Sequence, residues 1–362
     1  MVSSAAAPAA TDPTVLDDLR SRLRRTRRIA AVGDGWELGT DPDHLTGLLA
    51  DWAEFDWPTI ERGLLDRPWV RGAGAGVRAL HHRAGGAGER PAVVLLHGWP
   101  DSFLRFDRVV PLLVGDGVDV VVPCLPGYPY SESAGMSGAA MAEPIAAVMA
   151  ELGYRRYVVS GGDIGTQVAE SLARRYPDRV SALHLTDIPW RPLLAVDRDD
   201  RTPDEQHYLD RVSRFKDAEG AYAAEQATKP DTLAVGLGDS PAGLAAWIIE
   251  KLRTWSDCGG EVEAAFPRPD LLTWLTLYWV TGAIGTSFTP YARRGTPAAG
   301  RVTVPLVATV FPGDLYPATR RAAERFFDVR DWQEPGRGGH FGAWECPEAF
   351  AAGVRSAIEA GA

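Results

Sequence analysis

The sequence predicts an α/β fold: a mostly parallel sheet flanked by helices, with a helical lid inserted late in the core and a helical extension at the N-terminus. Three observations carry that expectation. Short apolar runs alternate with helical patterns from Pro91 onward, a long helical stretch interrupts them, and a glycine-flanked turn joins a strand to a helix near residue 163. Val- and Leu-rich runs of this length, bounded by turn signals, fit strands buried on both faces, as in a parallel sheet with crossover helices.

In chain order, residues 14–64 read as helical. Asp41 is placed to cap a helix beginning at Pro42, on which Leu45, Leu48, Leu49 and Trp52 recur as an amphipathic stripe. Glycine-rich stretches at Gly72–Gly76 and Gly85–Gly88 read as turns flanking a short strand, Val77–His82. Further strands are expected at Val93–Leu96, Val118–Val122, Tyr157–Val159, Val180–Leu185, Leu306–Val310 and Phe326–Val329. Between about Pro189 and Gly300 the pattern is helical. Ser240 and Pro241 can start a helix carrying Leu244, Trp247, Ile248, Lys251, Leu252 and Trp255. A helical insertion at this point in a parallel sheet is the position of a lid. The expected organisation is an N-terminal helical extension wrapping the core (1–88), a first part of the core (89–188), the lid (189–301) and a second part of the core (302–362).

Composition narrows the function. With 45% hydrophobic and 24% charged residues over 362 positions, the chain has a soluble globular composition and the length for one large core plus accessory regions. A net charge of −10 argues against nucleic acid as a partner. The basic run Arg20–Arg28 reads as the solvated face of a helix. Cys124, Cys258 and Cys346 are odd in number and far apart, which gives no disulfide framework and fits a reducing compartment. Met1–Thr14 lacks the pattern of a signal peptide, and the longest apolar run, Leu271–Ile284, is interrupted and too short to span a bilayer. It reads as a buried helix. The expectation is a cytoplasmic protein with no membrane anchor. Lys216, Lys229 and Lys251 are the only lysines, so the cations are nearly all Arg; with the abundant Ala, this fits a GC-rich bacterial source.

The chemistry centres on Tyr157-Val158-Val159-Ser160-Gly161-Gly162-Asp163-Ile164-Gly165, followed by a helical pattern. Strand, G-x-nucleophile-x-G, helix is the nucleophile elbow of the α/β-hydrolase fold, here with Asp where lipases carry Ser. His97-Gly98-Trp99-Pro100 follows the strand Val93–Leu96, where this fold supplies one oxyanion-hole donor. The expected donors are the backbone N–H groups of Trp99 and Ile164. His97 itself reads as a brace for the loop. Phe311-Pro312-Gly313-Asp314 and Gly338-Gly339-His340-Phe341 follow later strands, giving the order nucleophile, acid, histidine. Asp187 follows the strand Val180–Leu185, also lies between nucleophile and histidine, and is a second candidate acid; Asp314 is favoured because Asp187 adjoins Ile188-Pro189-Trp190, where the chain turns into the lid. The Asp also bears on the reaction. A serine attacking an alkyl carbon would form an ether, whereas a carboxylate forms an ester that water can cleave. Alkyl electrophiles, epoxides or haloalkanes, are therefore the expected substrates.

These segments resemble the microsomal-type epoxide hydrolases, including the insect juvenile-hormone enzymes and soluble bacterial relatives. The resemblance runs from Trp52–Trp57 through His97–Phe103, Pro123–Tyr128 and Gly161–Gly165. It continues through Thr228–Thr232, Ser240–Trp247 and Tyr278–Gly282 to Phe311–Asp314 and Arg337–Phe341. It implies two lid tyrosines, Tyr222 and Tyr291, that protonate the epoxide oxygen. It also implies an apolar or aromatic epoxide as substrate, water as co-substrate, and neither cofactor nor metal; a homodimer stays open. The lid aromatics Trp190, Trp247, Trp255, Trp274, Trp279 and Phe288 suit a bulky apolar substrate, although each reads first as core packing. The chain departs from the family in carrying Ile164 after the nucleophile where an aromatic is common, Pro129-Tyr130 for Gly-Phe, and Asp187 for Asn. The membrane-anchoring helix of the microsomal members is not expected here. Two other readings compete: a haloalkane dehalogenase-like hydrolase, and a catalytically silent binding protein on the same fold. Ile164 has no side-chain N–H to hold a halide, and the complete set Asp163, Asp314, His340, Tyr222 and Tyr291 speaks for catalysis.

Overall fold

The computed structural model describes residues 7–72, 76–85, 90–131, 135–295 and 300–362. Residues 73–75 and 86–88 of the two expected glycine turns lie outside the described residues, as do residues 1–6 of the N-terminal stretch.

Three helices open the chain: α1 (Pro13–Arg24), α2 (Pro42–Ala53) and α3 (Trp57–Leu65). Each has Pro in its first two positions, where the missing N–H costs no helical bond, and each is capped by an Asp side chain: Asp12, Asp41 and Asp56. The basic run is on a helix only in its first half. α1 ends at Arg24, and Arg27 and Arg28 are exposed beyond it. These helices also reach past the core. The buried Trp52 indole N–H donates to Thr276 Oγ1 at 2.8 Å, and Arg22 bonds Asp239, both acceptors lying in the lid.

Among the described residues eight strands form one sheet: β1 (Trp69–Arg71), β2 (Arg78–His82), β3 (Ala92–Leu96), β4 (Asp119–Pro123), β5 (Tyr157–Gly161), β6 (Val180–Leu185), β7 (Val302–Thr309) and β8 (Phe327–Gln333). Their order is β1-β2-β4-β3-β5-β6-β7-β8, antiparallel at β1–β2 and β2–β4 and parallel elsewhere. Every residue of β3, β4 and β5 is buried, in keeping with their Val- and Leu-rich sequence, with Asp119 and Ser160 as the buried polar exceptions. β1 is the strand the sequence reading missed. With β2 it joins the core sheet, so the sheet begins within the 1–88 extension, whose helical part ends at Leu65, one residue past the expected 64. Helices α4 (Val110–Gly115), α5 (Ala142–Glu151) and α6 (Ile164–Arg175) connect the central strands.

The lid lies between β6 and β7. Its helices are α7 (Pro203–Glu219), α8 (Ala221–Thr228), α9 (Pro230–Asp239), α10 (Pro241–Trp255), α11 (Val262–Ala265), α12 (Arg268–Thr281) and α13 (Thr289–Ala292). Ser240 caps α10 by accepting from Gly243 N–H, with Pro241 first in the helix, as the sequence indicates. The apolar run from Leu271 is α12, ended by Gly282 in the left-handed conformation (φ 61°) that favours glycine. Among the described residues no single helix is long and apolar enough to cross a membrane. Helices α14 (Arg320–Phe326), α15 (Gly342–Glu345) and α16 (Pro347–Ala360) complete the chain.

Candidate active site

β5 ends at Gly161 and α6 begins at Ile164, so the chain reverses over Gly162 and Asp163. Asp163 sits at φ 56°, ψ −122°, a region that side-chain-bearing residues seldom occupy and that marks functional strain. Close packing explains its glycine neighbours. A Cβ on Gly165 would lie 2.1 Å from the Leu96 carbonyl oxygen, and one on Gly98, across the site, 2.3 Å from Asp163 Oδ1.

The Asp163 carboxylate is held in a defined orientation. Trp99 N–H donates to Oδ1 at 2.7 Å, while Oδ2 stands 3.9 Å from His340 Nε2. Ile164 opens α6 directly after Asp163, at the end of the helix where the first N–H groups have no partner within the helix and the positive end of the dipole lies. His340 Nδ1 lies 2.8 Å from Asp314 Oδ1, which also accepts from Leu315 N–H. Burial works against a charged His340 ring. The neighbouring Asp314, its hydrogen bond and the Asp163 charge outweigh that, so the ring pKa lies above its ordinary value. His340 Nε2 is buried with no hydrogen-bond partner among the described residues.

Asp187 has a different place. Its Oδ1 accepts from Asp163 N–H at 2.8 Å and from Thr166 Oγ1 at 2.6 Å, pinning the backbone of the elbow. Burial, then the nearby Asp314 charge, push its carboxyl up to about 7. His97 is a buried brace, as its sequence context indicates. Its Nε2 accepts from Leu125 N–H at 3.2 Å, and burial lowers its pKa to about 3, which keeps it neutral.

Both lid tyrosines face the nucleophile region. The Tyr222 ring stacks on Trp99 (centroids 5.3 Å apart, 11° between planes) and lies 5.9 Å from the Tyr291 ring, which meets Trp99 edge-on at 6.1 Å. Burial and then the Asp163 charge raise both phenol pKa values, so both hold their protons at neutral pH. The Tyr291 hydroxyl is buried, and its interaction with the Tyr222 hydroxyl contributes to the shifts of both phenols. Of the six lid aromatics named from sequence, Trp255 and Phe288 come to the site: Trp255 lies edge-on to His340 at 5.5 Å, and Phe288 meets Trp99 at 6.2 Å. Trp274 packs on Phe266, Phe341 and Trp344, and Trp190, Trp247 and Trp279 pack on the core.

Four residues of the site escaped the sequence reading. Asp101 and Arg105 form a buried ion pair at 2.6 Å; Asp101 also accepts from Gly98 N–H at 3.1 Å, and Arg105 donates to the His340 carbonyl. The pair thus links the oxyanion loop to the histidine loop. Glu345 accepts from the N–H groups on both sides of His340, Gly339 at 3.0 Å and Phe341 at 2.9 Å, and from Asp257 N–H of the lid at 2.7 Å. Tyr128 stands edge-on to His97, its buried hydroxyl unpartnered among the described residues. Asp101 with Arg105 was visible as an i, i+4 pair of opposite charge, and Glu345 follows His340 closely, but nothing local shows that either is buried. Among the described residues no three His, Cys, Asp or Glu side chains converge as a metal-ligand set.

The turn from β5 into α6 presents a carboxylate on an α/β-hydrolase architecture, and comparison with known proteins shows the same fold. Residues 91–217 match the family described as alpha/beta hydrolase fold, and residues 6–106 match epoxide hydrolase N terminus. A Stigmatella aurantiaca protein provisionally named as an epoxide hydrolase is 34% identical over 96% of this chain and 82% of its own. Epoxide hydrolase 1 of Sus scrofa is 28% identical over 95% of this chain and 86% of its own. Among solved structures, an enantioselective mutant of the Aspergillus niger epoxide hydrolase superposes with a TM-score of 0.86 at 26% identity, covering 99% of this chain and 96% of that one. The Bombyx mori juvenile hormone epoxide hydrolase gives 0.82 at 28%, covering 97% and 92%. The chain belongs to the epoxide hydrolase family.

Proposed function

We propose that the chain opens an apolar or aromatic epoxide in two steps, through an ester on Asp163. In the first, Asp163 Oδ2 attacks an epoxide carbon. The ring C–O bond breaks, its electron pair goes to oxygen, and a phenol of Tyr222 or Tyr291 gives that oxygen a proton. Oδ1, already against Trp99 N–H, becomes the ester carbonyl oxygen. In the second step His340 Nε2 takes a proton from water as the water oxygen attacks the ester carbon. The N–H groups of Trp99 and Ile164 receive the negative charge on Oδ1. Collapse expels the alkoxide, which takes the proton from His340 to complete the diol; the regenerated Asp163 carboxyl group releases the remaining water proton and the tyrosinate takes one up, directly or through solvent, so the net change is epoxide plus water to diol.

The observation that carries this reading is the two-sided environment of Asp163. One carboxylate oxygen is held by Trp99 at 2.7 Å, and the other faces a histidine whose far nitrogen is bonded to Asp314. Electrostatics fit the sequence of steps. The Asp163 charge is among the causes raising the His340 pKa, and alkylation removes that charge. The ring therefore becomes easier to keep neutral when it must act as a base. The aromatic walls formed by Trp99, Tyr222, Trp255, Phe288 and Tyr291 support an apolar or aromatic substrate. The three cysteines are free and buried, which fits a reducing cytoplasm. The test is stopped-flow alkylation by styrene oxide. Tyr222→Phe and Tyr291→Phe should each slow ester formation, roughly in the 10²–10⁴-fold range of general acid catalysis, and the double variant should nearly abolish it. Unchanged alkylation in all three variants would remove the tyrosines from the mechanism.

A further inference from the structure

Helix α8 buries two side chains, Tyr222 and Gln226. Gln226 is fully buried, and neither its Nε2 nor its Oε1 has a hydrogen-bond partner among the described residues. An amide in that state is costly, because two donors and an acceptor have left water with nothing in exchange. Four residues apart, Tyr222 and Gln226 share one helix face, and a helical side chain leans toward the N-terminus, so the amide overlies the turn that carries Tyr222. Helix α8 packs against α13, and the Tyr222 ring meets that of Tyr291, which α13 carries, at 5.9 Å. Nothing in epoxide opening as described above uses an amide at this place.

We propose that Gln226 is a specificity-determining residue: it pairs with a hydrogen-bonding group of the substrate, set about one helical turn from the oxirane oxygen held by the tyrosines. This rests on the epoxide-opening reading and deepens it. The substrate class becomes an epoxide with an apolar body and one carbonyl, amide or hydroxyl group, at a distance near the roughly 6 Å that separates residues four apart on a helix. An amide both donates and accepts, so it can read either a carbonyl oxygen or a hydroxyl. A site built around such a pair rejects the analogue lacking the polar group, because the amide then stays unpaired.

Two epoxides of nearly equal shape separate the outcomes. 5,6-Epoxyhexanamide carries a primary amide four carbons from the ring, and 1,2-epoxy-6-methylheptane carries an isopropyl group there. Wild type should prefer the amide in kcat/KM. Gln226→Leu should lower kcat/KM for the amide, roughly ten- to a hundredfold, while leaving that for the isopropyl epoxide unchanged or higher. The melting temperature of Gln226→Leu should be equal or higher, since an unpaired buried amide has been replaced by an apolar side chain, and this guards against misreading a folding defect. The inference is overturned if Gln226→Leu changes both substrates by the same factor, or neither. It is also overturned if the variant melts well below wild type, which would mean that the amide serves the fold. Diol from neither epoxide in wild type would overturn the epoxide-opening reading itself, and this inference with it.

Discussion

The nitrogen that His340 turns toward Asp314 is Nδ1, which leaves Nε2 as the acceptor facing Asp163. In the proposed mechanism Asp314 fixes that tautomer and steadies the imidazolium that forms when water is deprotonated. Asp314→Asn should therefore accumulate the ester, slowing hydrolysis on the order of 10²–10⁴-fold with little change in alkylation. It should also move the acid limb of hydrolysis. His340 acts as the neutral base, so the rate falls as pH drops through its raised pKa. Removing the Asp314 charge lowers that pKa and shifts the limb to lower pH. Asp187→Asn keeps an oxygen for Asp163 N–H and Thr166, so it should leave hydrolysis near wild type; ester accumulating in this variant instead would make Asp187 the acid. The choice between the two carboxylates was open in sequence because both follow core strands. The structure separates them by what each touches: a ring nitrogen for Asp314, a backbone N–H and a threonine for Asp187. Gln226 and Glu345 could not be read from sequence at all, since Gln226 stands out through its burial and Glu345 through the burial of its loop and its bond to Asp257 N–H of the lid.

Strands were legible where each was buried on both faces, because an unbroken apolar run has no other place in a parallel sheet. β6 was read with its observed bounds, Val180–Leu185. β7 begins at Val302, ahead of the expected Leu306, because the pairing with β8 shifts register between Val302 and Pro305 and so accommodates a proline that argues against a central strand. β1 was missed because Trp69-Val70-Arg71 is too short to show a period. The histidine loop gives the element-scale prediction. Three N–H groups converge on the Glu345 carboxylate, one from each side of His340 and one from the lid. Glu345→Gln would turn an amide N–H₂ against those donors and loosen the loop. Ester hydrolysis should slow by roughly ten- to a hundredfold, the scale of a small misplacement of a catalytic group, while alkylation, which does not use His340, stays near wild type. Equal slowing of both steps would show a general structural role.

The site exists only in the assembled molecule. Asp163 comes from the turn after β5, the oxyanion donor from the loop after β3, Asp314 and His340 from beyond β7 and β8, and the tyrosines from the lid. The N-terminal helices hold that lid through the buried Trp52–Thr276 bond, which adds a tertiary role to helices that in sequence show only an amphipathic stripe. The order of these pieces was readable along the chain, but not the way Asp101, Arg105 and Glu345 tie them together, since those contacts cross from the oxyanion loop to the histidine loop and from there to the lid. All of this geometry serves one claim, that Asp163 carries the alkyl group as an ester whose carbonyl is attacked by water. When that ester is cleaved, the attacking oxygen of water stays on Asp163 and the carboxylate's original oxygen leaves with the diol. A single turnover of excess enzyme with styrene oxide in water enriched in ¹⁸O, followed by mass analysis of the Asp163 peptide and the diol, reads this directly. The account predicts the label in the Asp163 peptide and an unlabelled diol; label in the diol alone would mean that water opens the epoxide without an ester, and would contradict it.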